Sequence, residues 1–511
     1  LYYVHLQIFK SSNFQIAKSI STFPFKLFYS LIMKKLSIVL LFAQLSFISL
    51  AQPNVHPTSA HYVPTTDPQV AAKLDQWQDQ KFGIIIHWGL YAVPGIIESW
   101  SLCSEDWITR DSMSDYGEYK RWYWGLKDQF NPVDFDPESW AKTARQAGMK
   151  YLVFTTKHHD GFSMFDTKQS DFSITHTPYG KNAKANVAFH VFDAFRKEGF
   201  MIGAYFSKPD WHNTDYWWPL YATPDRNNNY DIRKFPWRWN RFKQFTYNQV
   251  EELMRDYGRM DILWLDGGWV RPLETVNDEV RSWGAAIPAW SQDVDIPRVA
   301  GMARSYQPGL LVVDRTVHGP YENYLTPEQR IPAAPLPYPW ESCITLGDAW
   351  GFVPGDRYKP AATVIHQLID VVAKGGSMLL GVGPDAKGRI PDTVTSRLQE
   401  VGRWLDKNGE AIYGTRPVAA FKWEHTYFTQ KKDSSAIYAI TTLDAGQPVP
   451  ATIEWQGPEP VKGSSVILLQ TGTRLSWKKE GGKIKVTLPA SAQRSCAGQP
   501  AVVVKYKSIK V

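Results

Sequence analysis

The stretch Trp140-Ala-Lys-Thr-Ala144-Arg-Gln-Ala147-Gly148-Met-Lys-Tyr151-Leu-Val-Phe154-Thr-Thr-Lys-His158-His159-Asp160 contains the local pattern from which most of the chain is built. Trp140, Ala144 and Ala147 share one helical face, Gly148 stops the helix, and Tyr151 to Phe154 form a short apolar strand that runs into polar residues. The same order recurs. Val191, Phe192 and Phe195 precede Gly199 and the strand Ile202 to Tyr205; Leu253 and Tyr257 precede Gly258 and Ile262 to Leu265; Gly309 precedes Leu310 to Val313. The four glycines are separated by 51, 59 and 51 residues, the scale of a strand–helix unit with a long loop. Phe82 to Ile86 reads as an earlier strand and Ser377 to Leu380 as a later one, after a helix with Val364, Leu368 and Val371 on one face. Val394, Leu398, Val401 and Leu405 mark a last helix. Strands alternating with helices predict a parallel sheet, and seven or eight such units predict a (β/α)8-like barrel over residues 52–420. Neither GxGxxG nor GxxxxGK[ST] follows any of these strands, which argues against a nucleotide-binding fold.

After about residue 420 the pattern changes. Ala436 to Ile440, Ser465 to Leu469, Lys483 to Thr487 and Ala501 to Val504 are short strand-like runs separated by Gly, Pro and charged turns, so residues 421–511 are expected to form an antiparallel β-sandwich.

With 511 residues, of which 43% are hydrophobic and 21% charged, the chain is large enough for both domains and is neither disordered nor collagenous. Three cysteines without a CxxC spacing exclude a zinc ribbon or a redox pair and allow at most one disulfide. The net charge of +7 is misleading. Residues 1–51 hold five lysines and no acid, leaving +2 for the rest, and no basic run elsewhere suggests a nucleic-acid partner. Met33-Lys34-Lys35, the apolar run Leu36 to Leu50 and the small residues around Ala51 read as a signal peptide over 33–51, too short for stable membrane insertion. Residues 1–32 are then expected to be mistranslated upstream sequence, and the mature protein to be periplasmic or secreted.

In a barrel of this kind the chemistry sits at the C-terminal ends of the strands. Those ends read Ile86-His87-Trp88-Gly89, Thr156-Lys-His158-His159-Asp160, Tyr205-Phe-Ser-Lys-Pro-Asp210-Trp211, Trp264-Leu-Asp266-Gly-Gly-Trp269, Val313-Asp314-Arg315 and Trp340-Glu341. Aromatic faces suit the C–H patches of a sugar ring, while His, Asp, Glu and Arg bind its hydroxyls. A metal is not expected, because neighbours such as His158 and His159 on a strand point to opposite faces and no HExxH helix is present. Without a GxSxG elbow, a nucleophilic serine is unsupported. Paired carboxylates remain, the apparatus of glycoside hydrolysis.

Lys81-Phe-Gly-Ile-Ile-Ile-His87-Trp-Gly-Leu-Tyr-Ala-Val-Pro-Gly95, Lys157-His-His-Asp-Gly-Phe162, Trp264-Leu-Asp-Gly267 and Gly381-Val-Gly-Pro384 resemble, in order, the motifs of the family 29 α-L-fucosidases. The resemblance covers roughly residues 70–420. It implies a (β/α)8-like barrel followed by a β-sandwich, a retaining mechanism, no cofactor, and fucosylated oligosaccharides or glycoconjugates as partners. By position it makes Asp266 the nucleophile and His87, Trp88, Glu98, Trp100, His158, His159, Tyr205, Trp264, Arg315 and Glu341 the substrate-binding set. The family often has Glu-Trp adjacent where this chain has Glu98-Ser99-Trp100, so either Glu98 or Trp100 takes that role. Thr316 and Gly381 stand where the family often has Trp and Asn. In the family the acid/base comes from a divergent loop after the arginine strand, followed about a dozen positions later by Trp-Glu. Glu328 lies 13 positions before Glu341 and is the preferred acid/base, with Glu341 and Glu322 as alternatives. A fucose-binding protein of weak activity and a barrel glycosidase for a related sugar are the competing readings. Expression from Met33 in a Gram-negative host should yield a mature chain that starts at Gln52 by intact-mass spectrometry. Residues 1–32 on the native protein would overturn that start.

Overall fold

Gly148 and Gly199, with φ of +86° and +82°, end their helices in the left-handed conformation that a side chain resists, and a strand begins within three residues of each. The computed structural model describes residues 61–105 and 115–508; the expected signal peptide and upstream segment lie outside them. The first domain runs α1 (Pro68–Gln80), β1 (Phe82–Ile86), α2 (Tyr116–Gly125), α3 (Pro137–Gln146), β2 (Tyr151–Lys157), α4 (Val187–Lys197), β3 (Met201–Ser207), α5 (Pro236–Asp256) and β4 (Ile262–Asp266). It continues through α6 (Asp278–Ser282), α7 (Ile296–Tyr306), β5 (Leu311–Asp314), β6 (Glu341–Thr345), α8 (Ala361–Ala373), β7 (Ser377–Val382) and α9 (Asp392–Asn408).

The seven strands are all parallel, in the order β5-β4-β3-β2-β1-β7-β6. The eighth place, between β5 and β6, is taken by an irregular segment. On the β5 side Asp314 N–H donates to Tyr321 O (2.8 Å) and Asn323 N–H to Val312 O (3.0 Å). On the β6 side Glu341 N–H donates to Leu325 O (2.7 Å), Cys343 N–H to Pro327 O (3.0 Å) and Gln329 N–H to Cys343 O (2.8 Å). The result is a (β/α)8-like barrel of seven strands in which the backbone around Glu328 is hydrogen-bonded into the wall.

Alternation along the strands separates two cores. Ile84 and Ile86 pack outward against the helices, whereas Ile85, Tyr151, Val153, Tyr205, Trp264 and Val313 fill the interior. Val70, Leu74 and Trp77 of α1 plug its lower end, where fully buried Trp77 stacks on Tyr324 at 3.9 Å between ring centroids.

The second sheet begins at β8 (Thr415–Trp423) and continues through β9 (Thr426–Lys431), β10 (Ile437–Thr442), β11 (Thr452–Trp455), β12 (Val466–Leu468), β13 (Thr473–Glu480), β14 (Lys483–Thr487) and β15 (Ala501–Tyr506). The antiparallel order is β11-β14-β13-β12-β15-β10-β9-β8. β13 pairs with β12 through its first three residues and with β14 through its last five, so it passes from one half to the other. The halves close over Phe428, Ile437, Trp455, Val486 and Val504. Trp404 on α9 donates to Ala501 O (3.3 Å), joining this β-sandwich to the barrel.

Glu341 opens β6 inside the barrel with no exposed surface, its two oxygens accepting from Tyr151 Oη (2.7 Å) and Trp264 Nε1 (3.2 Å). Burial pushes its carboxyl up to about 7, against the opposing effect of those hydrogen bonds. The unfolded chain ionises this group near 4.5, so the stability tied to its protonated form is complete below that pH and is lost as pH rises to about 7. Glu341→Gln removes this dependence. The unfolding free energy of the variant relative to wild type should therefore rise by about 3 kcal/mol between the two pH limits. Denaturant titrations across pH 4–8 measure it, and a constant difference would contradict the assignment.

Candidate active site

The inward rows of β4 and β5 extend directly into the mouth of the barrel. Ile262 and Trp264 face the interior, so Asp266 does too; Leu311 and Val313 do the same for Arg315. Pairing of Ser207 with Asp266 and of Leu265 with Asp314 fixes their heights. Arg315 Nη1 donates to Asp266 Oδ1 (2.9 Å), Nη2 to Glu328 Oε2 (2.7 Å) and Nε to Thr326 Oγ1 (3.0 Å), with the guanidinium 4.4 Å over the Trp264 ring. One planar cation thus bridges two carboxylates on different segments. The side chains of Asp266 and Glu328 retain 18% and 28% exposure against 9% for Arg315, so the acids open to the cleft while the cation lies behind them.

Burial acts to raise the Asp266 carboxyl, but Arg315 and the Tyr205 hydroxyl donating at 2.7 Å outweigh it and hold the group well below the usual range, with His159 Nε2 3.8 Å away. Asp266 is ionised at any working pH. Tyr205 itself stacks on Trp264, with centroids 5.3 Å apart.

His158 and His159 follow the end of β2 and both face this cluster, their rings 4.3 Å apart. The expectation that they point to opposite faces fails because the strand has ended and a register shift lies between Thr155 and Lys157. Ser99 Oγ contacts His158 Nδ1, and Ser207 Oγ lies 2.6 Å from His159 Nδ1. His87 completes the set, 5.8 Å from the His158 ring and 5.6 Å from Tyr205. Burial lowers all three imidazoles, His158 to about 4, so near neutral pH each is uncharged and can both donate and accept. Trp100 and Trp269 each pack 5.0 Å from the His159 ring, and Arg226, ion-paired with Glu105, covers both indoles.

Three expected contact residues lie elsewhere. Trp88 turns into an aromatic cluster with Phe130, Phe135 and Trp140 and donates to Asp385 O (2.9 Å). Glu98, 2% exposed, accepts from Gly351 N–H at 2.7 Å, so of the pair left open by the sequence it is Trp100 that stands beside the histidines. Glu341 is sealed beneath Trp264. Glu322 is also buried: it accepts from Thr316 N–H (2.9 Å) and pairs with His318 (2.8 Å), holding Thr316 at φ +66°, a conformation that β-branched residues avoid. Other strand-end acids serve the scaffold, Asp210 pairing with Lys157 (3.2 Å) and Asp314 with Lys208 (2.5 Å). Trp350, whose Nε1 donates to Glu328 Oε1 (3.2 Å), was not expected at the site, because it lies in the loop after β6 with no periodic pattern around it.

This constellation has an ionised carboxylate, a second carboxylate across a shared arginine, and a neutral, aromatic-lined polar recess, which suits a sugar ring. Known proteins agree. The α-L-fucosidase family model matches residues 49–410. An α-L-fucosidase from Branchiostoma floridae is 27% identical over 467 residues, spanning 88% of this chain and 96% of its own. The structure of α-L-fucosidase isoenzyme 1 from Paenibacillus thiaminolyticus superposes with a TM-score of 0.68 at 31% identity, covering 86% of this chain and all of that one. An α-fucosidase from Thermotoga maritima, solved in complex with fucose, gives a TM-score of 0.64 at 26% identity over 87% of this chain and 97% of its own. The barrel with its appended sandwich, the carboxylate pair and the extent of these matches place the chain in the α-L-fucosidase family, glycoside hydrolase family 29.

Proposed function

We propose that the protein is an exo-acting, retaining α-L-fucosidase that acts outside the cytoplasm on terminal fucose of oligosaccharides or glycoconjugates, with Asp266 as nucleophile and Glu328 as acid/base. The observation that carries this reading is the Arg315 bridge between the two carboxylates. Retaining enzymes need their carboxyls about 5–5.5 Å apart, and joining both to one guanidinium favours such closeness.

The bridge also accounts for the charge at each stage. In the first step Asp266 attacks the anomeric carbon while Glu328 gives its proton to the departing oxygen. Asp266 becomes a neutral ester as Glu328 becomes a carboxylate, so Arg315 faces one negative charge before and after. In the second step Glu328 takes a proton from water, the water oxygen attacks the same carbon, and the Asp266 carboxylate leaves to pair with Arg315 again. Glu341 and Glu322 do not suit the acid role, since each is buried and engaged within the protein. The neutral histidines suit hydroxyl recognition, and the Trp100 and Trp269 faces suit the apolar side of a 6-deoxy sugar.

Asp266→Gly should lower turnover by at least about a thousandfold with the fold intact. Azide should restore activity with fucosyl azide of inverted configuration; near-normal turnover of the pure variant would sink the assignment. Glu328→Ala should cripple hydrolysis of fucosyl oligosaccharides while largely sparing kcat/KM on an activated aryl fucoside, whose kcat falls because release of the sugar loses its base, and azide should there restore turnover and give the retained product. Equal effects on both substrates would remove Glu328 from the acid role.

A further inference from the structure

Each oxygen of Glu328 has its own donor. Arg315 takes Oε2, and the Trp350 indole takes Oε1 at 3.2 Å. Trp350 is half-buried in the loop after β6, its ring 5.1 Å from that of His87. That loop is held from behind, because the buried Glu98 carboxyl accepts from Gly351 N–H.

The indole has room only because of two glycines at the end of β7. A Cβ on Gly381 would fall 2.6 Å from Trp350 Cε3 and 2.8 Å from Cζ3. A Cβ on Gly383 would fall 2.3 Å from Phe352 N and 2.4 Å from Gly351 C. Two residues apart on an extended segment, these positions share a face. Gly381-Val-Gly383 is therefore a socket for residues 350–352. At 381 neither φ nor a turn demands glycine, and the ring is the reason for it.

We propose that Trp350 is a positioning residue for the acid/base: seated in the Gly381–Gly383 socket and backed by Glu98, its indole N–H holds the Glu328 carboxyl in line with the departing oxygen. This rests on the acid/base reading of Glu328 above. Indole and guanidinium are donors only, and each carboxyl oxygen has a second lone pair, so the acidic proton is left to the pair facing the cleft. Losing the indole N–H frees the carboxyl to turn about its terminal torsion, which harms proton donation while Asp266 remains in place.

The test compares Trp350→Phe, which keeps a ring but removes the donor, with Gly381→Ala, which displaces the indole. Both are assayed on 4-nitrophenyl α-L-fucoside and on a fucosyl oligosaccharide. Each variant should lower kcat/KM on the oligosaccharide by about tenfold, with kcat/KM on the aryl fucoside kept within about twofold. The double variant should be no worse than the weaker single one, since both break a single contact. Equal losses on the two substrates would make Trp350 a sugar-stacking face, and additive losses would uncouple it from the socket; either result, or no change, overturns the proposal. Glu328→Ala separates the two levels. If it lacks leaving-group dependence, the acid/base reading fails; if it shows that dependence and Trp350→Phe does not, only the role of Trp350 fails.

Discussion

Arg315 is the cation on which the geometry of the site depends. It is nearly buried, and three of its nitrogens are committed, to Asp266, Glu328 and Thr326. A buried guanidinium without partners would be prohibitive, and Asp266 and Glu328 supply them. Each group makes the others tolerable. Trp264 supplies the surface on which the guanidinium lies, and Glu341 and Tyr151 secure Trp264 from below, so the order of the site extends down into the barrel core.

The gap in the strand ring serves the same arrangement. A regular eighth strand would alternate its side chains between core and exterior, whereas residues 321–329 form only scattered hydrogen bonds to β5 and β6. Glu328 is thereby fixed at backbone level by Cys343 while its side chain reaches Arg315, which also holds Asp266. The turn that leads into the segment is itself held, since Arg271 and Glu322 secure Thr316 in its left-handed conformation immediately after Arg315.

Around this centre the polar groups fall into two populations. Ion pairs such as Lys157–Asp210 and Lys208–Asp314 are sealed and tie the loop after β3 to the ends of β2 and β5. The histidines are different: burial keeps them uncharged, and they lie beside the nucleophile without competing with Arg315 for its charge. An imidazolium there would oppose Arg315, whereas a neutral ring leaves both donor and acceptor for a hydroxyl.

Much of the fold was legible in the sequence because its signals are local: a helical face, a glycine stop such as Gly148, and four apolar residues of strand lie within one short window. Asp266 and Arg315 were legible as strand-end residues whose roles the family motifs around them implied. The loops were not legible in this way. Whether Trp88, Glu98 or Glu341 meets the cleft depends on which distant surface closes over it, an aromatic cluster from α3, the 350–352 loop, or Trp264 across the barrel. His158 and His159 share a face because β2 has ended at Lys157 and its register shifts just before that end. By itself, then, the sequence determined the alternating architecture, the appended sandwich and the strand-end acids, all products of short-range periodicity. Only the tertiary structure decided which of those acids share Arg315 and why Gly381 must lack a side chain, because those contacts join residues distant in the chain that meet only when the barrel closes.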